Sequence, residues 1–266
     1  MRRLLISCIL AGGCVAPGAA LAGAWPQPAG HWQAIEQFTY YQTATQGYDA
    51  QGRPAGSGTY RQLEFAPYIE YGVTDRLTLG MQPRFQTVWN STAGGTRTSS
   101  GLAEFNLFAR WTLARYANDV FAVQGTAGLP GSATSANPAV AYRNAEYEAR
   151  LLWGHSLNLG GGVTAFTDIE AAYRARTGPD ANEVHLDGTA GLRPVPRWLL
   201  LAQSFTTLGL RDNAPTGANY SITKLQISAV YSLTSHVAVQ AGFYSELAGR
   251  NVSLGNAGLV ALWLNF

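Results

Sequence analysis

Glu146 and Glu148 stand two residues apart, and Asp168 and Glu170 repeat that spacing further along the chain. In an extended chain, residues i and i+2 point the same way. Two such carboxylates can divide acid and base roles on a glycan. They can also be held as charges by neighbouring arginines. The same polar phase carries Arg84, Arg110, Arg150, Arg174 and Arg193, together with Glu64, Glu104 and Asp187. Guanidinium and carboxylate groups are nearly equal in number there, which favours cross-strand ion pairs over acid–base chemistry. The guanidinium is always charged and forms a planar fork, so it suits a narrow polar bore. These residues are therefore expected to line an interior, as an ion-pair network or as a permeation path.

Other chemistries find less support. His31, His155 and His236 fall at expected strand ends or turns and read as solvated. His185 shares a phase with Glu183 and Asp187. A lipid-processing triad would need a serine beside a histidine on an outward face. No G-x-S-x-G occurs, and no serine is marked out near His185, so no catalytic residue is expected. Gly160-Gly161-Gly162 has no following helix and no Lys-Ser/Thr, so it reads as a sharp turn rather than a phosphate loop. Asn90-Ser91-Thr92 is a glycan acceptor only in a eukaryotic secretory setting. Cys8 and Cys14 are the two cysteines, both near the start, so no disulfide framework, metal site or cofactor is expected.

The elements that must position the charged residues alternate with a period of two. Residues 101–113 place Ala103, Phe105, Leu107, Ala109, Trp111 and Leu113 on one face, with Glu104, Asn106, Phe108, Arg110 and Thr112 on the other. Twelve such segments are predicted, near 31–43, 59–72, 77–89, 101–113, 119–129, 142–154, 160–174, 183–193, 197–208, 220–233, 237–247 and 257–266. Their lengths suit tilted strands crossing a bilayer. Short connections are predicted near 73–76, 114–118, 155–159, 194–196 and 234–236. Longer ones, rich in Gly, Ser, Thr, Asn and Pro, are predicted near 44–58, 90–100, 130–141, 175–182, 209–219 and 248–256. Tyr71, Trp111, Phe121, Trp153, Trp198 and Tyr231 flank the short turns, as a girdle at headgroup level would.

A soluble β-sandwich also alternates. Paired charges in mid-strand, alternating loop lengths and aromatic girdles favour an all-β transmembrane antiparallel barrel of about twelve strands, with both termini periplasmic. Charged residues are only 13% of the 266, and the mean hydropathy is −0.03, so apolar spanning helices are not expected. Residues 1–22, with Arg2, Arg3, an apolar stretch and Ala20-Leu21-Ala22, read as a signal peptide cut after Ala22. A lipid-attachment reading at Cys14 is weaker, because Leu is missing three positions before it. Residues 23–266 then form the barrel. They carry 16 basic and 16 acidic residues, with Lys224 the single lysine, which removes the basic excess expected of a nucleic-acid binder.

Three places fit poorly. Glu36 shares a phase with Trp32, Ala34, Phe38 and Tyr40, for which a bulge or a sheet edge is the expected explanation. Residues 198–202 are apolar on both phases. Pro67 and Pro83 fall inside strands and should mark bulges or unpaired positions.

The chain ends in ALWLNF, with Phe266, Leu264, Leu262 and Val260 in one phase. This resembles the C-terminal aromatic signal by which outer-membrane barrels reach the barrel-assembly machinery. Glu70 to Gly80 and Ser100 to Leu113 resemble the outer-membrane family of the meta-pathway of phenol degradation. Ala22 to Gly30, Phe166 to Arg176 and Leu186 to Phe205 resemble Xag-type proteins, encoded beside exopolysaccharide and biofilm-adhesin synthesis genes. The resemblance implies an outer-membrane barrel for transport or export and carries over no catalytic motif. The expected partners are outer-membrane lipid and a polysaccharide or small polar solute. The alternatives are a non-conducting surface anchor and an uptake channel for small aromatic solutes; a lipid-modifying enzyme is the least favoured.

Overall fold

A computed structural model describes residues 23–56, 59–92, 95–132, 136–140, 144–178, 180–210 and 220–266. The expected signal peptide, with Ala22, lies outside them. Thirteen strands form one antiparallel sheet: β1 (Trp32–Tyr48), β2 (Pro54–Gly56), β3 (Thr59–Gly72), β4 (Leu77–Thr92), β5 (Gly95–Tyr116), β6 (Asp119–Pro130), β7 (Glu146–Gly160), β8 (Val163–Arg176), β9 (Glu183–Val195), β10 (Trp198–Gly209), β11 (Ser221–Ser232), β12 (Val237–Arg250) and β13 (Val252–Asn265). β13 pairs with β1, so the sheet closes. The three-residue β2 pairs with the far end of β1 alone. Twelve strands make the wall.

The alternation decides which side each residue takes. On β7, Tyr147 and Leu151 are 55% and 64% exposed, while Glu146 and Glu148 are buried. On β8, Ile169 is 53% exposed and Asp168 is 2%. Large apolar side chains thus cover the outside and charges fill the inside, the reverse of a soluble protein. An apolar outer belt of this extent is stable only against lipid.

Several connections differ from expectation. β7 runs through His155 to Gly160, so the short turn predicted at 155–159 is strand. The reversal comes at Gly160, Gly161 and Gly162, whose φ angles of +82°, +59° and +82° suit glycine. Within the loop predicted at 90–100, residues 90–92 and 95–100 are also strand, because the β4–β5 ladder continues to Thr92–Gly95. β12 and β13 reverse at Asn251, φ +52°, within the loop predicted at 248–256. Beyond the bilayer a ladder needs no apolar residues. Hydroxyl pairs such as Thr87–Ser100 and Ser91–Thr96, both 2.9 Å, serve there instead. Polar composition was therefore a poor guide to where strands end.

Register explains the misfits. Arg84 pairs with Glu104 but Phe85 with Leu102, so Ala103 is an extra residue. This bulge turns Ala103 fully inward, against the lipid-facing position that strict alternation assigns it. β1 has no bulge or free edge at Glu36. Its register is unbroken from Gln33 to Gln42 against both neighbours, and Glu36 lies outward, opposite Pro67 and Leu262. The β3–β4 ladder is interrupted between Phe65–Phe85 and Ile69–Met81, where Pro67 and Pro83 face each other. Two prolines without N–H groups leave a gap in the ladder with no change of register. In the 198–202 run, Leu199 and Leu201 point inward and Trp198 and Leu200 outward.

Phe266 joins the seam that closes the barrel. Its amide donates to the Trp32 carbonyl (3.0 Å), and Trp32 N donates to the Phe266 carbonyl (2.8 Å). Deleting Phe266 removes both bonds and the terminal ring. The expected result is a weak or missing heat-modifiable band on gels of outer-membrane fractions. Unchanged yield and heat-modifiability would refute it.

Candidate functional site

The bore is not empty. Residues 23–28 enter it from the rim that carries the short turns. Ala24 is fully buried, and its amide donates to Asp168 Oδ1 (3.0 Å). The Trp25 carbonyl accepts from Arg110 Nη1 (2.9 Å). Gln27 donates through its amide N to Thr78 Oγ1 and through Nε2 to Glu70 Oε2, both at 3.0 Å. The Trp25 ring lies edge-on to Phe166, with centroids 5.6 Å apart.

The wall is shaped for this ring. Ile35, Phe166, Leu199, Leu201, Val230, Ala238, Ala261 and Trp263 form an apolar cluster against Trp25. Ala24, Val120, Ala122 and Leu152 form a second, on which Trp25 also packs. The sequence places charged residues on this inner face and leaves 198–202 apolar on both phases. The apolar half exists because a segment with an indole occupies it, and the two surfaces leave water together. Towards the other mouth, Val140 and Ala136 pack against Val88, Ala103 and Tyr60, so part of the β6–β7 connection also reaches inside.

Between these closures the charged side chains form three groups. Nearest the N-terminal segment, the Arg110–Glu70 pair is fully buried. Arg110 also reaches Tyr68 Oη (2.9 Å) and Gln124 Oε1 (3.2 Å), and lies over the Phe108 ring. On another part of the wall, Arg84 spans Glu64 (2.8 Å) and Glu104 (3.4 Å). The third group is the largest. Arg150 contacts Glu148 (2.8 Å), Asp187 (2.6 Å) and Glu170. Arg174 contacts Glu146 and Glu148, both 2.9 Å, and Arg176 contacts Glu146 (3.1 Å) and Glu183 (3.0 Å). Asp168 and Arg193 belong to none of these ion pairs among the described residues. Arg193 stands near the short-turn rim beside Ser232, Thr234 and Asn265.

Glu70, Arg176 and Glu183 belong to this network but escape a reading based on mid-strand charges. Glu70 is in phase with Glu64 on β3, and that period could have identified it. Its place beside a turn hid it. Arg176 and Glu183 fall within or beside the predicted loop 175–182, which is shorter than expected because β8 extends to Arg176. His185 points inward, with Nε2 2.9 Å from Glu183 Oε2. His155 lies 2.8 Å from Asp119 near the short-turn rim. Tyr41 donates to Glu246 (2.9 Å), which Lys224 approaches at 3.8 Å.

A cavity of about 440 Å³ remains between the closures. Gln37, Gln82, Asn106, Gln124, Gln203 and Gln226 line it, alongside the charged network, with Gly23 in its wall. Chemically this is a surface of amide donors and acceptors whose charges are mostly paired.

No family model matches the chain, and no curated protein matches it. Solved structures do. The COG4313 outer membrane channel from Pseudomonas putida F1 is similar at TM-score 0.74 and 16% identity, over 91% of this chain and 98% of that one. The beta domain of the Bordetella autotransporter Brka is similar at 0.54 and 14%, over 90% and 100%. The NanC porin is similar at 0.52 and 6%, over 87% and 98%. At these identities the likeness is one of fold. Closed, antiparallel, twelve-stranded and apolar outside, the chain is a multi-pass barrel of the outer membrane.

Proposed function

We propose that the barrel conducts a small, neutral, polar solute of the carbohydrate class, in the service of cell-surface polysaccharide. The observation that carries this reading is the amide-lined cavity. Its arginines and most of its carboxylates neutralise one another at short range. Such a wall offers an anion no unpaired arginine, since five carboxylates line it beside three arginines. It offers many hydrogen-bond donors and acceptors to hydroxyl groups, and the Tyr68 and Phe108 rings, stacked 5.3 Å apart, add an apolar stretch to the wall. The fold is one that the Pseudomonas channel also uses. The short turns and both termini would face the periplasm, with the long hairpins outside. A bore of twelve strands lies between those filled by side chains and those holding a wide aqueous channel. It admits a small solute or one extended glycan chain and excludes a folded protein.

The closures at both mouths favour a second reading, a surface anchor that does not conduct. Liposome swelling separates the two. Proteoliposomes of the full barrel should swell in pentose and hexose, more slowly in disaccharide, and faster throughout with Trp25→Ala. Swelling no faster than that of protein-free liposomes, in both proteins and all sugars, would overturn conduction and leave the anchor.

A further inference from the structure

Asp168 is 2% exposed, and its carboxylate accepts the Ala24 amide. None of the ion pairs among the described residues includes it, although it stands in a crowded acidic region. Glu170 on the same strand, Asp187 on β9 and Glu148 on β7 all draw on Arg150. Arg110 on β5 is taken by Glu70 of β3. A buried carboxylate without a cation is strongly disfavoured. What lies against Asp168 is Gly23: a Cβ added to that glycine would overlap all three carboxylate atoms. Gly23 is also the first residue after Ala20-Leu21-Ala22.

We propose that the missing cation is the chain's own amino terminus, created by cleavage after Ala22 and ion-paired with Asp168 inside the barrel. In the precursor the Gly23 nitrogen is a neutral amide. Hydrolysis of the Ala22–Gly23 bond consumes one water, leaves a carboxylate on Ala22 and frees an amine on Gly23. A free α-amine is mostly protonated below about pH 8. The charge that Asp168 lacks is therefore supplied by processing. The glycine is needed because any side chain would fill the carboxylate's place. Seating of Trp25 between its two apolar clusters, and hence closure of the bore, becomes coupled to export. The inference rests on the reading of residues 1–22 as a cleaved leader, and the experiment separates the two.

The chain has one lysine, so the processed protein has two amines, the terminus and Lys224. Protein extracted from outer membranes is first sequenced from its N-terminus and should begin at Gly23. A different start overturns the proposal at the cleavage step. The folded protein is then treated with an amine-acylating reagent across a pH series, and both amines are followed by peptide mass spectrometry. The terminal amine should react at least about tenfold more slowly than in the urea-unfolded chain, the loss that a shift of one unit in its proton affinity would give at neutral pH. Asp168→Asn should restore the rate and leave Lys224 unchanged. If that variant does not fold, a chain refolded with one alanine added before Gly23 keeps Asp168 intact. Its terminus should react at the unfolded-chain rate. A start at Gly23 with a terminus equally reactive in folded parent and unfolded chain would overturn the ion pair and leave the leader reading intact. So would protection unchanged by both alterations.

Discussion

Arg110→Met is expected to destabilise the barrel by about 3–5 kcal/mol, the range for breaking one side of a buried ion pair, and to raise its conductance. The two effects have one origin. Arg110 is the cation of Glu70, and both side chains are buried. Without it, Glu70 retains Gln27 Nε2 and Tyr68 Oη as donors but has no positive charge. The same guanidinium holds the Trp25 carbonyl. Losing it removes a main polar tie on the N-terminal segment, leaving Trp25 to be held by apolar packing. Urea unfolding in bilayers measures the first effect and single-channel recording the second. A double variant, Arg110→Met with Glu70→Gln, should recover most of the stability, because the stranded charge is gone. Its conductance should stay high, because the tie to Trp25 is still missing. Recovery of both properties together would show that closure follows barrel stability rather than the Arg110–Trp25 bond. A parent-like conductance in Arg110→Met would show that the segment does not gate the bore.

How far such features can be read from sequence depends on their range. Strand pairing and facing follow from a local period, so Leu151 and Glu148, or Ile169 and Asp168, sort correctly from their neighbours alone. Ala103 does not, because its bulge is set by how β4 and β5 meet. Leu199 and Leu201 are ambiguous for a similar reason. Both phases of 198–202 are apolar, and the choice is made by Trp25, which is remote in sequence and carries no periodic signal. The N-terminal segment Gly23 to Gly30 is likewise irregular and short. Its function becomes visible only when Asp168, Arg110, Thr78 and Glu70 are seen to converge on it from four strands. The charged phase was legible because lipid forbids it on the other side. The partners within that phase were not, since a period fixes the face and leaves open which arginine reaches which acid.

Ala149→Arg should cost about 2–4 kcal/mol, the depth-dependent range for Arg on the lipid face near the midplane, while its neighbour Glu148→Gln should cost much less. Ala149 is exposed on β7 between Tyr147 and Leu151, and pairs with Gly125 and Tyr173. An arginine there has lipid on every open side. Glu148 is one residue away but faces the network, where its loss is shared. Arg150 keeps Glu170 and Asp187, and Arg174 keeps Glu146 at 2.9 Å and Glu183 at 3.8 Å. No cation is stranded, and the glutamine can still accept a hydrogen bond from Arg150 or Arg174. Urea midpoints of the refolded proteins in bilayers test the contrast. A parent-like Ala149→Arg would mean that residue 149 is not in contact with lipid, and the facing of β7 would have to be reversed. In a conducting barrel Glu148→Gln has a second consequence, since it removes one of the carboxylates that outnumber the arginines beside the cavity. The reversal potential in a salt gradient should then move towards anion preference. An unmoved potential would place the conducting path away from Arg150 and Arg174.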